Sequence, residues 1–379
     1  MNRSVVIAGY ARSPFHFAKK GDLTRVRPDD LAAQVVAQLV TRTGVAKDDI
    51  EDLIVGCAFP EGEQGLNVAR LIGFLADLPL AVAGTTVNRF CGSSMQAIHM
   101  AAGAISLGAG DVFICAGIES MSRVPMAGFN PMLNPDLAQS YPAAYMSMGE
   151  TAENVAAKYG IDRRRQEDLA LESHKRAASA RAAGKFTEEI VAIRQGNRTI
   201  ENDGCIRAEA NLQDLADLKP AFKDDGSVTA GTSSPLTDGA SACLVVSETY
   251  AKARGLPILA RIKSVAVAGC MPEIMGMGPV AASQKALKRA GLEASHLDVI
   301  ELNEAFASQA LACADALGLD WSRINLDGGA LALGHPLGAT GARITGKAAQ
   351  LLAREGKQFA LATQCIGGGQ GIATILEAV

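Results

Sequence analysis

The sequence predicts an α/β fold made of two similar halves, the first of them interrupted by an insert, and three observations support this prediction. Short, almost wholly apolar runs alternate with Ala-rich segments of helical periodicity, a pattern typical of parallel or mixed sheets covered by helices. Segments near the start of the chain recur 247 positions later, so that Gly44 falls on Gly291. Residues 119–236 separate the first copy from its last strand and differ from it in composition.

Elements of the first copy have counterparts in the second. The first copy is predicted to contain a strand from Val5, a helix over 29–40 that ends at Gly44, strands over 50–56, 81–87 and 112–116, and a helix from about residue 91 to 107. The second copy is predicted to contain a helix over 281–289 that ends at Gly291 and strands over 297–302, 359–363 and 369–376. The run 239–246 is similar to the closing strand of the second copy, so we interpret it as the displaced last strand of the first.

These patterns predict three units along the chain. Residues 1–118 plus 237–262 form the N-terminal half, residues 119–236 the inserted domain, and residues 263–379 the C-terminal half. The insert has a proline-rich, loop-like stretch near its start and then a charged helix over 162–183. We expect it to cover the junction of the two halves as a lid.

Composition and charge argue against two classes of protein. The 379 residues carry 36 Lys and Arg against 40 Asp and Glu, a net charge of −4, and aromatic residues make up only 4%. Proteins that bind nucleic acid normally show a basic excess or stripe, so we expect no nucleic-acid partner. The most apolar stretch, residues 95–117, contains His99, Asp111 and several glycines, which argues against a membrane span.

The cysteines and the chain ends predict a cytoplasmic protein without a metal site. The eight cysteines are scattered, with no CxxC pair and no Cys/His spacing typical of zinc, so we expect free thiols in a reducing compartment. The apolar run after Val5 is too short for a signal peptide, and Glu377-Ala378-Val379 is not a peroxisomal ending.

One thiol lies where a predicted helix begins. Residues 87–94 end a strand and open a helix, which places Cys91 at or beside the helix N-terminus. Free N–H groups and the helix dipole there stabilise a thiolate, so we expect Cys91 to have a lowered pKa and to be a nucleophile. The alternative is a buried structural thiol.

The matching turn of the second half carries a histidine. A shift of 247 positions puts Cys91 opposite Gly338, three residues after His335, so the pseudo-symmetry brings both residues to strand-to-helix turns that can face each other. A Cys–His pair is the minimum for an activated thiolate. The alternative is a histidine that is hydrogen-bonded for structural reasons.

Two further loops follow strands of the second half. Cys365 comes after the strand over 359–363 and precedes three glycines, 367–369, whose N–H groups can bind an anion. Residues Asn303 to Ala307 follow the strand over 297–302. Because open α/β sheets carry their sites at the carboxyl ends of strands, we predict that these loops meet at one site.

In order and spacing, these motifs resemble those of the thiolase family over essentially the whole chain. The segments that carry the resemblance are Asn88-Arg89-Phe90-Cys91-Gly92-Ser93-Ser94, Asn303-Glu304-Ala305-Phe306, Gly328-Gly329-Ala330-Leu331-Ala332-Leu333-Gly334-His335-Pro336 and Cys365-Ile366-Gly367-Gly368-Gly369. The resemblance implies a five-layered αβαβα fold from two similar βαβαβαββ halves with an inserted loop domain. It also implies an acyltransferase that acts on acyl-CoA and CoA.

The resemblance implies a role for each residue of the site. Cys91 looks like the acylated nucleophile and His335 like its activator, whereas Cys365 looks like the acid/base that exchanges protons with the α-carbon of acetyl-CoA and with the CoA thiol. His335 and a water held by Asn303 would form one oxyanion hole, and the N–H groups of Cys91 and Gly367 the other. Coenzyme A is then a co-substrate, no tightly bound cofactor or metal is implied, and the chain forms a homodimer or homotetramer.

The contacts to acyl-CoA and CoA are predicted from looser matches. The loop over 229–234 resembles the family's CoA-binding loop, with Ser234 and Ala230 as candidates. Met148 is expected beside the thioester, Phe306 against the substrate, and Arg207 against the adenosine or a phosphate.

Within the family, the pattern favours a degradative 3-ketoacyl-CoA thiolase of fatty acid β-oxidation. Biosynthetic members of the acetoacetyl-CoA type tend to have Gly after the loop serine and His before the methionine, whereas here Pro235 follows Ser234 and Ser147 precedes Met148. The alternatives are an acetyl-CoA acetyltransferase, a ketoacyl synthase-like condensing enzyme and a non-catalytic carrier-type relative. The presence of both thiols together with the histidine argues against the last two.

Overall fold

The computed structural model describes residues 3–379, and the first two residues of the predicted N-terminal half lie outside the described residues. The strands are β1 (Val5–Arg12), β2 (His16–Phe17), β3 (Asp52–Gly56), β4 (Ala83–Val87), β5 (Val112–Ser120), β6 (Ile193–Gln195), β7 (Arg198–Ile200), β8 (Thr237–Ser247), β9 (Ala260–Gly269), β10 (Val299–Leu302), β11 (Phe359–Ile366) and β12 (Gln370–Glu377). The α-helices are α1 (Pro28–Thr43), α2 (Val68–Leu75), α3 (Ser93–Leu107), α4 (Pro135–Ser140), α5 (Met148–Tyr159), α6 (Arg163–Ala182), α7 (Leu212–Ala216), α8 (Glu248–Arg254), α9 (Gly278–Ala290), α10 (Ala307–Leu317), α11 (Ala330–Leu333) and α12 (Leu337–Glu355).

The large strands form two sheets of the same topology. The hydrogen-bonded order is β10-β11-β12-β9-β1-β8-β5-β3-β4, but β1 and β9 meet through only two residue pairs, so the path divides between them. In each sheet the inner pairs β1–β8–β5 and β9–β12–β11 are antiparallel, and β5–β3 and β11–β10 are parallel. A single parallel bridge from Ile300 to Ile324 takes the place that β4 has beside β3. The predicted repeat is thus confirmed as two sheets related by pseudo-symmetry.

Helices cover these sheets in five layers. Helices α1 and α2 pack on the outer face of the first sheet, α9 and α10 on the outer face of the second, and α3 and α12 lie between the two sheets. Three apolar cores fill the spaces between the layers, and the central core joins both halves. The predicted αβαβα architecture is therefore confirmed.

Local sequence explains where the repeated helices end. Gly44 after α1 and Gly291 after α9 both have φ of +68°, a left-handed conformation that favours glycine. Strand β5 is longer than the predicted run 112–116, because β8 pairs with it residue by residue as far as Ser120. The predicted division at residue 262 lies within β9.

Two glycines allow the halves to meet closely below the central helices. A Cβ at Gly117 on β5 would lie 2.2 Å from the carbonyl oxygen of Gly338 on α12. A Cβ at Gly338 would lie 2.4 Å from the carbonyl oxygen of Ile118. Only the absence of side chains permits this contact, which joins the N-terminus of α12 to the end of β5.

The insert contains α4 to α7 and the β6–β7 hairpin, and the predicted charged helix is α6. The side chain of Asp162 caps α6 by accepting the N–H of Arg165. Within residues 3–379, no helix is both long and apolar enough to cross a membrane.

Candidate active site

The predicted site loops meet at a cavity of about 250 Å³. Its walls come from both halves and from the insert. Of the predicted residues, Cys91, Met148, Ser234, Phe306, His335 and Cys365 line it. Apolar side chains supply most of the remaining wall, including Met121, Met126, Phe222, Leu236, Met275 and Leu337. An apolar cavity with a few convergent reactive groups is typical of a small-molecule site.

Cys91 lies on a tight turn between β4 and α3. Phe90 before it has φ of +41°, an uncommon conformation for a residue with a side chain. The side chain of Asn88 accepts the N–H of Phe90 at 2.8 Å, and the hydroxyl of Ser93 donates to the carbonyl of Phe90 at 2.6 Å. These bonds hold the turn so that the thiol enters the cavity.

The prediction that Cys91 has a lowered pKa is wrong. Burial raises the pKa of Cys91 to about 11, although the N–H groups of Gly367 and of Cys91 itself act in the opposite direction. The nearby carboxylate of Glu119 raises it further. Desolvation therefore outweighs the helix N-terminus, and the thiol is protonated at neutral pH. These two N–H groups favour the Cys91 thiolate, and their predicted role as an oxyanion hole stays a prediction.

His335 is buried and neutral beside the N-terminus of α12. Burial and the positive charge of Arg343 lower the pKa of His335 to about 3. The Thr340 hydroxyl donates to the Pro336 carbonyl at 3.0 Å, so at 2.6 Å it accepts a hydrogen bond from His335 Nδ1. That arrangement assigns the proton to Nδ1 and leaves Nε2 as a proton acceptor.

Asn303 contacts the second ring nitrogen of the histidine. Its side-chain amide nitrogen lies 3.4 Å from His335 Nε2, and its Oδ1 is buried without a partner among the described residues. The adjacent Glu304 is buried and accepts hydrogen bonds from Ser173, Asn325 and the N–H of Leu331, so it fixes the loop that precedes His335.

The second thiol lies at the end of β11, close to the first. Burial raises the pKa of Cys365 well above its ordinary value, and the neighbouring Cys91 adds to the shift. The glycine turn after it has φ of +77° at Gly368 and +82° at Gly369, which turns the chain back into β12. Next to Cys365, the Gln364 amide donates to the carbonyl of Cys91 and so connects the two thiol-bearing segments.

The looser predictions for CoA contacts divide into two groups. Met148, Ser234 and Phe306 line the cavity, as expected for substrate contacts. Ala230 is exposed outside the cavity lining, because hydrogen bonds between Thr229 and Thr232 turn the loop outward at that point. The contacts of Ala230 and Arg207 with CoA stay predictions.

Arg207 also lies outside the cavity lining. Its side chain is exposed, with the guanidinium 5.5 Å from the ring centre of Phe17, and its backbone N–H donates to His174 at 3.1 Å. Within residues 3–379, no cluster of three or more His, Cys, Asp and Glu side chains is arranged to hold a metal ion.

Sequence reasoning missed two buried polar residues that touch the site segments, Glu119 and Gln364. Glu119 accepts hydrogen bonds from backbone N–H groups of both halves. Both side chains stand in strands made mostly of apolar residues, which is the only sequence signal that could have singled them out.

Known protein families and curated relatives match this chain over essentially its whole length. Residues 5–249 match the family model described as thiolase, N-terminal domain, and residues 256–378 match that described as thiolase, C-terminal domain. The chain is 47% identical over 390 residues to a 3-ketoacyl-CoA thiolase of Bacillus subtilis (strain 168), with 100% of each chain covered. It is 48% identical over 386 residues to a 3-ketoacyl-CoA thiolase of Acinetobacter baumannii, covering 100% of this chain and 98% of that one.

Solved structures show the same similarity. The human mitochondrial 3-ketoacyl-CoA thiolase, crystallised in complex with CoA, has a TM-score of 0.92 and 37% sequence identity. The match covers 100% of this chain and 98% of the human one.

Proposed function

The chain belongs to the thiolase family of acyltransferases, and on that premise we propose that it cleaves 3-ketoacyl-CoA with CoA, giving acetyl-CoA and a shortened acyl-CoA. The observation that carries the proposal is the meeting of two thiols and a neutral imidazole in one apolar cavity, with two N–H groups at the Cys91 sulfur. The 3-ketoacyl-CoA thiolases of similar sequence support the substrate class.

The first half-reaction transfers the acyl group to Cys91. The thiol gives its proton to Nε2 of His335, which carries no proton because the Thr340 contact assigns the imidazole proton to Nδ1. The sulfur attacks the 3-keto carbon, and the N–H groups of Cys91 and Gly367 stabilise the oxyanion of the adduct. The C2–C3 bond then breaks, and the departing acetyl-CoA enolate takes its proton from Cys365.

The second half-reaction releases the product. The thiolate of Cys365 removes the proton of the CoA thiol, and the CoA sulfur attacks the acyl carbon on Cys91. Cys91 leaves as a thiolate and regains its proton from His335. All three groups return to their starting states, and the reverse sequence condenses two acyl-CoAs. Coenzyme A is consumed as a co-substrate, and the scheme needs no tightly bound cofactor.

The direct test is CoA-dependent loss of the enolate absorbance of 3-ketoacyl-CoA, measured on four-carbon and longer substrates. Cleavage of both, or a preference for longer chains, is the expected result. Cleavage restricted to acetoacetyl-CoA would move the assignment to acetyl-CoA acetyltransferase. Cleavage of neither, with Cys91 unmodified by mass, would rule out the proposed activity.

We also propose a homodimer or homotetramer that acts in the cytoplasm in fatty acid β-oxidation. Strand β4 is the edge of its sheet, and the large apolar side chains of Leu66, Phe74 and Leu80 near it are exposed, which favours pairing with a second copy. The eight free thiols support a reducing compartment. Light scattering on the purified chain tests the first point, since a monomeric mass would exclude it, and cell fractionation tests the second.

A further inference from the structure

The carboxylate of Glu119 lies at the end of β5, directly beneath the site. Its side chain is 1% exposed. At 2.9 Å it accepts hydrogen bonds from the N–H groups of Ala58 and Gly338 and from the Gln64 amide, with the N–H of Phe59 at 3.4 Å. Within residues 3–379 it forms no ion pair with Lys, Arg or His. Burial raises the pKa of Glu119, and the hydrogen bonds donated by these neutral groups act in the opposite direction by favouring the charged carboxylate.

One series of hydrogen bonds connects Glu119 to the turn that carries the nucleophile Cys91. Glu119 holds the N–H of Ala58, and the carbonyl of Ala58 accepts the side-chain amide of Asn88 at 3.0 Å. The other end of the Asn88 side chain accepts the N–H of Phe90, the residue before Cys91. The position of the Ala58 loop therefore sets the position of the turn that carries the thiol.

A second hydrogen bond connects Glu119 to the segment that carries the base, His335. Gly338 is the second residue of α12 and lies three residues after His335. Its N–H is one of the free donors at the helix N-terminus, where a carboxylate is favourable. The same carboxylate oxygen, Oε2, accepts the N–H groups of both Gly338 and Ala58. One atom thus joins the segments that carry Cys91 and His335.

We infer that Glu119 is a positioning residue: its carboxylate sets the separation of the Cys91 turn and the His335 turn that proton transfer requires. The inference rests on the proposed thiolysis. A displacement of about 1 Å between reacting groups can cost about 100-fold in rate, so a link of this kind controls turnover without touching substrate.

The negative charge of Glu119 opposes ionisation of Cys91, whereas its hydrogen bonds align the two turns. Experiments can therefore distinguish the effect of the charge from the effect of the hydrogen bonds. Cys91 is faced by Glu119, by Cys365 and by the neutral His335, and the negative charge of Glu119 raises the pKa of Cys91. Activation of the thiol is therefore not the reason for a carboxylate at this place. Removing the charge makes the free thiol easier to ionise, even though the site is less well aligned.

Three variants test the inference: Glu119→Gln, Glu119→Asp and, as a matched control, Glu248→Gln. Glu248 is a buried carboxylate at the start of α8, outside the site. We expect Glu119→Gln to lower kcat about 100-fold with little change in KM. The midpoint of the pH dependence of Cys91 alkylation by iodoacetamide should at the same time move to lower pH. Glu119→Asp keeps the charge but shortens the reach, so kcat should fall while the alkylation midpoint stays in place.

Glu248→Gln should change neither kcat nor the midpoint. The inference is overturned if folded Glu119→Gln retains kcat within about twofold of the unmodified protein. It is equally overturned if Glu119→Gln loses kcat with an unchanged or higher alkylation midpoint and a lowered melting temperature. That combination would show that the substitution destabilises the whole fold and does not act on the alignment of the site. Absence of thiolysis in the unmodified protein would instead remove the proposed function.

Discussion

At the scale of single residues, burial determines how the site works. It raises the pKa of both Cys91 and Cys365 and lowers that of His335, so all three groups are uncharged before substrate binds. Protons can then pass between the groups as bonds form and break, and a standing thiolate–imidazolium pair is not needed. The two thiols differ in surroundings: the N–H groups of Gly367 and Cys91 both lower the pKa of Cys91, whereas only its own N–H does so for Cys365.

Replacement of each thiol should separate the two half-reactions. Cys91→Ala removes the atom that carries the acyl group, so we expect neither thiolysis nor acylation by acetyl-CoA. Cys365→Ala should lose thiolysis by at least about 100-fold, the range of a general acid–base contribution, yet still become acylated. Intact mass after mixing with acetyl-CoA measures the acylation. Thiolysis by Cys91→Ala at the unmodified rate would contradict the assignment.

A buried histidine outside the site should make stability depend on pH. Burial and the nearby Arg207 lower the pKa of His174 to about 4, below the ordinary value of 6.5. Between these pH values the unfolded chain binds a proton that the folded chain does not, so stability is lost as the pH falls below 6.5. We expect His174→Asn to reduce this slope by about 1.4 kcal/mol per pH unit.

Urea unfolding at several pH values between 7 and 5 measures that slope. His296→Asn, at an exposed position, is the control for the loss of an imidazole as such. An equal slope for His174→Asn and the unmodified protein would refute the prediction.

At the scale of elements, the two central helices place the reactive turns. Helices α3 and α12 begin two residues after Cys91 and His335, respectively. They pack so closely that a Cβ at Gly341 would lie 2.3 Å from the backbone nitrogen of Met95. The hydroxyl of Ser94 accepts the N–H of Ala342 at 2.8 Å. The crossing of these helices therefore brings two turns from different halves to one cavity.

Gly341→Ala tests this crossing. The added methyl group meets backbone that cannot move aside, so we expect a loss of about 1–3 kcal/mol in the free energy of unfolding. Gly103 lies in the same pair of helices, but a Cβ there meets no atom within 4 Å. Gly103→Ala should instead stabilise the protein by about 0.5–1 kcal/mol, since alanine favours the helix. Urea unfolding compares the two, and equal effects would show that the helices do not pack as described.

At the scale of the whole molecule, a buried ion cluster ties the insert to both halves. Arg12 on β1 pairs with Asp203 and Glu189 of the insert, each at 2.7 Å. Lys347 on α12 pairs with Glu189 at 2.7 Å and with Asp327 at 2.8 Å. All five side chains are almost fully buried, so each charge depends on its partners. The cluster holds the insert, which supplies Met148 and Ser234, over the cavity.

Asp203→Asn removes one charge from this cluster and leaves Arg12 incompletely paired. We expect a loss of at least about 3 kcal/mol in the free energy of unfolding, together with faster proteolysis of the insert. Asp168, which pairs with Arg164 on an exposed face of α6, provides the control. Asp168→Asn should change stability by less than about 0.5 kcal/mol. Similar losses for both variants would mean that the cluster does not anchor the insert.

The sequence by itself determined the repeat, the interruption of its first copy, and the loops that carry Cys91, His335 and Cys365. These features are local: apolar periodicity, a constant offset of 247 positions and motifs at strand ends can be recognised without knowing which parts touch. The five-layered fold was implied by the resemblance to the thiolase family, and the convergence of the loops could be predicted because open α/β sheets carry their sites at the carboxyl ends of strands.

Only the tertiary structure decided the charge states and the links between halves. The predicted low pKa of Cys91 considered the helix N-terminus, which is local, whereas desolvation depends on everything that surrounds the thiol. Glu119 reaches Gly338 across 219 positions of the chain, and no local pattern records such a contact. The exposed position of Arg207 likewise follows from how the insert packs. Periodicity is a local property of the sequence, whereas burial and long-range hydrogen bonds exist only after the halves have assembled.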